Sequence, residues 1–179
     1  MSTIATVYGQ ALYDLAKEEG VEAAIMQQLT VLEACFRDEP DFIRLLCAAN
    51  LSKAERCDIL ERSFRDRVHP HVLSFMKLLT EKGYMRHFSG CCKVCKAHYN
   101  ADHGILEVQA VTATPLTEQQ KQRLQEKLTT LTGKQVELLC STDPAVLGGV
   151  RLDYDGRRVD DTVAHRMDSL RRLLKSTVL

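Results

Sequence analysis

Three cysteines and three histidines between positions 87 and 103 are the residues of this chain best suited to metal chemistry, because thiolates and imidazoles are the usual zinc ligands. They are His87, Cys91, Cys92, Cys95, His98 and His103. On a helix four of them would share a face, but His87 and His98 would lie about 16 Å apart at ~1.5 Å per residue. Four ligands cannot then converge on one ion. We interpret the cysteines as small buried apolar side chains, with adventitious metal binding by Cys91 and Cys95 as the alternative.

Gly133 and Lys134 resemble the end of a phosphate-binding loop. That loop needs a glycine five residues before its second glycine and a hydroxyl side chain after the lysine. Those positions hold Leu128 and Gln135. Gly133 is therefore predicted to end a helix, and no nucleotide site is expected here.

Asp153 and Asp155 resemble the beginning of a calcium loop. The glycine that such a loop requires falls on Arg158, and Asp155 with Gly156 forms a hairpin-turn signal inside the same stretch. A solvated turn is the better interpretation.

No serine of the chain lies in a nucleophile elbow, and the chain offers no short catalytic motif. We therefore expect no cofactor and no independent enzyme activity. A catalytic triad assembled from residues distant in the sequence stays open as an alternative.

Composition describes an ordinary globular protein: 179 residues, 45% hydrophobic and 27% charged, with 24 basic and 24 acidic side chains. Because neither half has a basic excess, nucleic acid is not expected as a partner. Seven cysteines, an odd number without disulfide-framework spacing, indicate a reducing cytoplasm. The first 20 residues lack the apolar core of a signal peptide, and no stretch approaches the roughly 18 to 20 apolar residues of a membrane span. We expect a soluble chain without direct membrane insertion.

Residues 1–104 show a helical period with frequent stop signals. Apolar side chains recur at intervals of three and four residues. Six helices are predicted, beginning near residues 4, 21, 40, 52, 70 and 84. Ser52 with Glu55 is a capping box, and Pro40 and Pro70 suit the first turn of a helix. Gly20 and Gly83 are placed to end helices. The pattern predicts a compact all-α bundle.

After Gly104 the period changes to two, which predicts a small α/β domain over residues 105–179. Strands are predicted around residues 106–110, 136–140 and 150–154, with a hairpin turn at Asp155 and Gly156. Thr117 begins a helix with a stripe at Leu124, Leu128 and Leu131. Thr162 is predicted to cap a last helix that carries Val163, Met167, Leu170 and Leu174. The predicted class is α+β: a six-helix bundle, then a short sheet with two helices.

Three segments resemble one known family. They are residues 7–16 (VYGQALYDLA), residues 75–83 (FMKLLTEKG) and, most specifically, residues 143–150 (DPAVLGGV), followed by a turn at 155–156 and a terminal helix. In this order and spacing the chain is similar to the delta subunit of F-type ATP synthases, over nearly its whole length. The mitochondrial member is the oligomycin-sensitivity-conferring protein.

The resemblance implies a helical domain on the catalytic head that holds the N-terminal helix of an alpha subunit. The groove for that helix lies between the first and fifth helices, which here correspond to Tyr8, Ala11, Leu12 and Leu78. Bundle core is the alternative role for each of the four, and for Leu12 the two roles are equally favoured. Residues 148–174 would meet the b-subunit stalk, or serve only as domain core.

The resemblance also implies a non-catalytic stator that links the F1 head to the peripheral stalk and couples proton translocation to ATP synthesis. One copy would belong to a hetero-oligomeric complex on the cytoplasmic face of the bacterial cell membrane, held there peripherally through other subunits. Two rival hypotheses are a general helical adaptor or regulatory module and an enzyme without a short motif. A turn-rich segment such as residues 143–160 has no reason to follow the bundle of a bare helical adaptor.

Overall fold

The structure is a computed structural model that describes residues 3–48, 51–163, 165 and 167. Contacts divide the chain into two compact units, Met1–Tyr99 and Asn100–Leu179. The chain is mostly helical with a small four-stranded sheet, which agrees with the predicted α+β class. No described helix combines the length and the apolar character needed to cross a bilayer.

Six α-helices occupy the described part of the chain up to Asp102. They are α1 Thr3–Glu18, α2 Glu22–Asp38, α3 Pro40–Leu46, α4 Lys53–Phe64, α5 Pro70–Glu81 and α6 Phe88–Asp102. The predicted capping box at the beginning of α4 is confirmed, because Ser52 accepts from the Glu55 amide while the Glu55 carboxylate accepts from the Ser52 amide. Proline stands in the first turn of α3 and of α5, as predicted. The prediction carried α3 toward Asn50, but the helix ends at Leu46, and residues 47 and 48 are not helical. Residues 49 and 50 lie outside the described part of the chain.

The beginning of α6 corrects the prediction. A 3-10 turn, Met85–His87, replaces the α-helix expected from Tyr84. The Tyr84 amide donates to the Leu79 carbonyl oxygen at 2.7 Å and closes the end of α5. The chain must then reverse quickly, and the tighter turn places Met85 in the core, where it is 1% exposed.

The core of the first unit combines aliphatic residues from several helices with an aromatic cluster. Phe36 of α2 meets the rings of Phe42, Phe64 and Phe88 at centroid distances of 5.7, 6.0 and 5.1 Å. Edge-on and offset ring pairs add stabilisation beyond the apolar area they bury. The cluster fixes α2, α3, α4 and α6 against one another.

The second unit has a four-stranded sheet in the order β2-β1-β3-β4. The strands are β1 Ile105–Thr112, β2 Gln135–Thr142, β3 Val150–Tyr154 and β4 Arg157–Asp160, and helix α7, Glu118–Thr132, connects β1 to its parallel neighbour β2. Strand β3 is antiparallel to both β1 and β4. The predicted hairpin is confirmed at Asp155 and Gly156, both with positive φ as a type I′ turn requires.

A small core lies between α7 and one face of the sheet. Leu106, Val108 and Val136 are buried there, with half-buried Leu128 of α7 packed against them. The predicted stripe of α7 is only partly correct, because Leu131 is 82% exposed. Leu131 stands one residue before the end of α7, whose polar side chains leave the helix with little apolar surface to bury.

The predicted cap of the last helix is confirmed, since the Thr162 hydroxyl accepts from the His165 amide at 3.1 Å. Val163, His165 and Met167 are helical. The predicted continuation through Leu170 and Leu174 lies outside the described residues.

Candidate partner-binding surface

Helix α1 carries more apolar surface than the core of its unit covers. Its buried side combines three small residues with a leucine and a tyrosine: Ala5, Gly9, Leu12, Tyr13 and Ala16. At 100° per residue, a second apolar arc adjoins this side and includes Ile4, Val7, Ala11 and Leu15. Val7 is 58% exposed and Leu15 is 38% exposed. An apolar stripe that continues from the core onto the outside is typical of a helix with a second partner.

Helix α5 contacts α1 and adds one exposed apolar side chain. Most of its apolar residues are buried, including Val72, Phe75 and Met76. Leu78 instead faces outward at 40% exposure. We call the set Ile4, Val7, Tyr8, Ala11, Leu15 and Leu78 the α1–α5 surface.

Tyr8 stands at the border between the core and the α1–α5 surface. It is half-buried against the core, and its ring meets that of Tyr84 edge-on, with centroids 5.9 Å apart. This contact fixes the orientation of the ring. A half-exposed tyrosine offers a partner both apolar area and a hydroxyl group.

Two polar contacts tie α5 to its neighbours. The His71 Nε2 atom, near the beginning of α5, lies 2.6 Å from the Glu19 carboxylate just after the end of α1. Farther along α5, Lys77 pairs with Glu61 of α4, which lowers the pKa of the Glu61 carboxyl group.

The four predicted groove residues have different environments. Ala11 and Leu78 are exposed, Tyr8 is half-buried, and Leu12 is 4% exposed within the core cluster. Leu12 therefore takes the core role, one of the two that the sequence left open. Sequence reasoning did not select Val7 and Leu15, although their spacing of four from Ala11 was a usable signal.

The cysteines of α6 pack as apolar side chains, as predicted. Cys91, Cys92 and Cys95 are buried, and the Cys95 thiol lies 3.6 Å from the Met26 sulfur. Burial raises the pKa of Cys91 to about 11 and that of Cys95 to about 12. Burial therefore makes the thiolate form, which a zinc ligand must adopt, costlier than in an exposed cysteine. Within the described ranges, no group of three or more potential ligands comes together.

The two other motifs considered for chemistry have structural roles. The Gly133 amide donates to the Thr129 carbonyl oxygen at 2.8 Å and ends α7, as predicted. Asp153 faces Arg158 across the hairpin, with 2.6 Å between carboxylate oxygen and Nε. Asp153 is therefore engaged in an ion pair within the hairpin.

Residues 143–150 join several elements of the second unit. The Asp143 amide donates to the Thr112 carbonyl oxygen at the end of β1, and its carboxylate accepts from the Ala145 amide. The Val163 amide donates to the Gly148 carbonyl oxygen at 3.0 Å. A Cβ on Gly149 would lie 2.4 Å from the Asp161 carbonyl oxygen. This close packing explains why a glycine-rich segment is needed here.

Comparison with known proteins gives matches along nearly the whole chain. A family model described as ATP synthase delta (OSCP) subunit matches residues 4–174. The ATP synthase subunit delta of Alkaliphilus oremlandii (strain OhILAs) is 28% identical over 172 residues, 96% of either chain. That of Desulfitobacterium hafniense (strain Y51) is 29% identical over 171 residues, again 96% of each.

A solved structure has the same fold. A chain of the Toxoplasma gondii mitochondrial ATP synthase hexamer aligns with a TM-score of 0.78 at 21% identity. The alignment covers 97% of the present chain and 98% of that chain.

Proposed function

Because the chain belongs to the ATP synthase delta (OSCP) subunit family, we propose that it is the non-catalytic connector between the F1 head and the peripheral stalk of an ATP synthase. Rotation of the central shaft exerts torque on the head. Proton translocation is coupled to ATP synthesis only when the head is held still. The chain therefore acts as a tether and needs no reactive group.

We assign the two ends of the tether to the two parts of the chain. Residues 1–104 form a six-helix bundle that docks on the head, and residues 105–179 form the α/β domain that meets the b-subunit stalk. Support comes from the change of secondary structure after Gly104 and from the division of the chain into two compact units, which falls slightly earlier, between Tyr99 and Asn100. Support for the stalk contact comes from exposed apolar side chains at Leu147, Val163 and Met167.

The observation that carries the proposal is the exposed apolar stripe of α1, together with an exposed leucine, Leu78, on α5, the helix that contacts α1. An amphipathic helix binds such a stripe through apolar anchors that recur every three or four residues. The small side chain of Ala11 allows the partner backbone to approach closely, and Tyr8 provides an aromatic anchor at the edge. We assign this site to the N-terminal helix of an alpha subunit.

A tether under torque requires slow dissociation and high affinity. A nanomolar dissociation constant corresponds to about −12 kcal/mol, which a few well-buried anchors can supply. The chain is present as one copy per complex. It associates with the cytoplasmic face of the bacterial cell membrane through the other subunits.

Isothermal titration of the full-length chain with a synthetic peptide of the alpha-subunit N-terminus tests the assignment. Saturable binding with one peptide per chain is expected. A folded chain that binds no peptide at micromolar concentrations contradicts it. A parallel titration with MgATP is expected to give no heat of binding, because a connector carries no nucleotide site.

A further inference from the structure

A cavity of about 420 Å³ lies in the helical unit among α2, α3, the 3-10 turn and α6. Its floor consists of Phe36, Met85 and Phe88, all buried, together with half-buried Ile43. The rings of Phe36 and Phe88 pack edge-on at 5.1 Å, which holds the floor rigid. Its volume falls within the ~300 to 1,000 Å³ range of small-ligand sites.

The rim of the cavity has an excess of positive charge. Arg37, Arg86 and Lys93 all line it with exposed side chains, and in the part of the chain that the structure describes none of them pairs with a carboxylate. The one acidic side chain at the rim is Glu33, which accepts a hydrogen bond from the Ser89 hydroxyl. Three cations and one anion therefore surround an apolar floor.

The first turn of α6 strengthens this positive field. Phe88 and Ser89, its first two residues, both line the cavity, and that turn contains no acidic side chain. The positive end of a helix dipole favours an anion within about one turn. The helix end and the rim cations therefore act in the same direction.

We propose that this cavity binds a small amphipathic anion, a carboxylate on an unbranched apolar chain such as a medium-chain fatty acid. The apolar chain lies on the aromatic floor, and the carboxylate faces Arg37, Arg86 and Lys93. The rim cations favour an anionic head group over a neutral or cationic one. The apolar floor favours a ligand with an alkyl chain over a bare carboxylate. No residue of the α1–α5 surface lines the cavity, so this site is separate from the proposed tethering function.

The direct test is a titration of the full-length ¹⁵N-labelled chain with decanoate, followed by amide chemical shifts. Saturable shifts are expected at Phe36, Arg37, Arg86 and Ser89. Two control ligands are acetate, which lacks the alkyl chain, and decyltrimethylammonium, which carries the opposite charge. Each is expected to bind at least tenfold more weakly than decanoate, a difference of about 1.4 kcal/mol. Absence of saturable shifts, or equal binding of the cationic probe, overturns the proposal.

Charge variants with opposite expected effects sharpen the test. Arg37→Gln and Arg86→Gln are each expected to weaken decanoate binding about two- to fivefold, the range for an exposed ion pair. Glu33→Gln removes the one repulsive charge and keeps an oxygen for Ser89, so binding should strengthen by a similar factor. Arg67→Gln changes an exposed arginine of the same unit outside the cavity and should have no effect. Circular dichroism verifies folding of all four variants. Equal affinity across them overturns the proposed site even when decanoate binds.

Discussion

Gly9 of α1 packs so tightly against Val94 of α6 that a Cβ on the glycine would lie 2.8 Å from the Val94 Cβ atom. The same added carbon would lie 2.6 Å from the Cys91 carbonyl oxygen. Both contacts are shorter than van der Waals packing allows, and one is with backbone. This close approach sets the position of α1 and so the outward direction of its second apolar arc.

Gly9→Ala should therefore destabilise the chain. In an open helix this change stabilises by roughly 0.5 to 1 kcal/mol, so the sign of the effect reports the crowding. We expect a net loss of about 1 to 3 kcal/mol, typical of overpacking. Urea unfolding measures it, with Gln10→Ala at the neighbouring exposed position as the control. A Gly9→Ala variant as stable as the parent would refute the close packing of α1 on α6.

Substitutions on the α1–α5 surface should weaken binding of the alpha-subunit peptide without unfolding the chain. Tyr8→Ala removes an anchor and is expected to cost about 2 kcal/mol, near thirtyfold in affinity. Ala11→Asp places an unpaired carboxylate where two helices meet and should weaken binding more. Gln10→Asp introduces the same charge one residue earlier, outside the stripe, and should bind like the parent. Calorimetric titration compares the three, and parent-like affinity in a folded Ala11→Asp variant would exclude this groove.

Two glycines of the second unit separate steric crowding from backbone strain. Gly149 and Gly156 have similar φ values, 81° and 72°, but only at Gly149 would a Cβ meet other atoms, including the Asp161 carbonyl oxygen. Gly156→Ala should lower the free energy of unfolding by about 1 kcal/mol through backbone strain alone. Gly149→Ala should lower it clearly more, because crowding adds to the strain. Hydrogen exchange of the β3 amides measures both. Equal losses would mean that residues 148–149 do not pack against the start of the last helix.

The buried Cys95 thiol predicts a specific loss of stability in alkali. Burial raises its pKa to about 12 from an ordinary value near 9, so the unfolded chain releases this proton first as pH rises. The stabilisation is complete below about pH 9 and is lost progressively up to about pH 12, at no more than roughly 1.4 kcal/mol per pH unit.

Cys95→Ala removes this titration and leaves the other ionising groups in place. The difference in unfolding free energy between parent and variant should be constant from pH 7 to about 8.5 and should then shrink. Urea unfolding at a series of pH values follows it. A difference that stays constant to about pH 10.5 would show that the thiol is not shielded from water.

Local signals in the sequence determined many of the elements, because their causes lie within a few residues. The capping box at Ser52, the helix start at Thr117 and the hairpin at Asp155 depend on neighbouring residues and were predicted correctly. Exposure depends on what packs above a residue, which periodicity does not reveal. Leu12 and Leu15 are apolar residues three positions apart in α1, yet the first is in the core and the second is on the surface.

The 3-10 turn before α6 shows the same limit at the level of the backbone. The helical pattern continued through residues 84–87, but the reversal after α5 and the burial of Met85 favour a tighter turn. That choice depends on tertiary packing. For the candidate site, sequence resemblance pointed to four residues: Tyr8, Ala11, Leu12 and Leu78. Leu12 proved to be in the core, while Val7 and Leu15 emerged from their exposure.

Reconstitution of the coupled enzyme tests the connector function most directly. F1 and membranes that retain the stalk, both stripped of this chain, are combined with the parent, with Ala11→Asp or with Gln10→Asp, and ATP-driven proton pumping is measured. The account predicts that the parent and Gln10→Asp restore pumping and F1 binding, while Ala11→Asp restores neither at the same concentration. Full pumping without any added chain, or with a folded Ala11→Asp variant at parent-like concentrations, would contradict a connector that holds the head through α1.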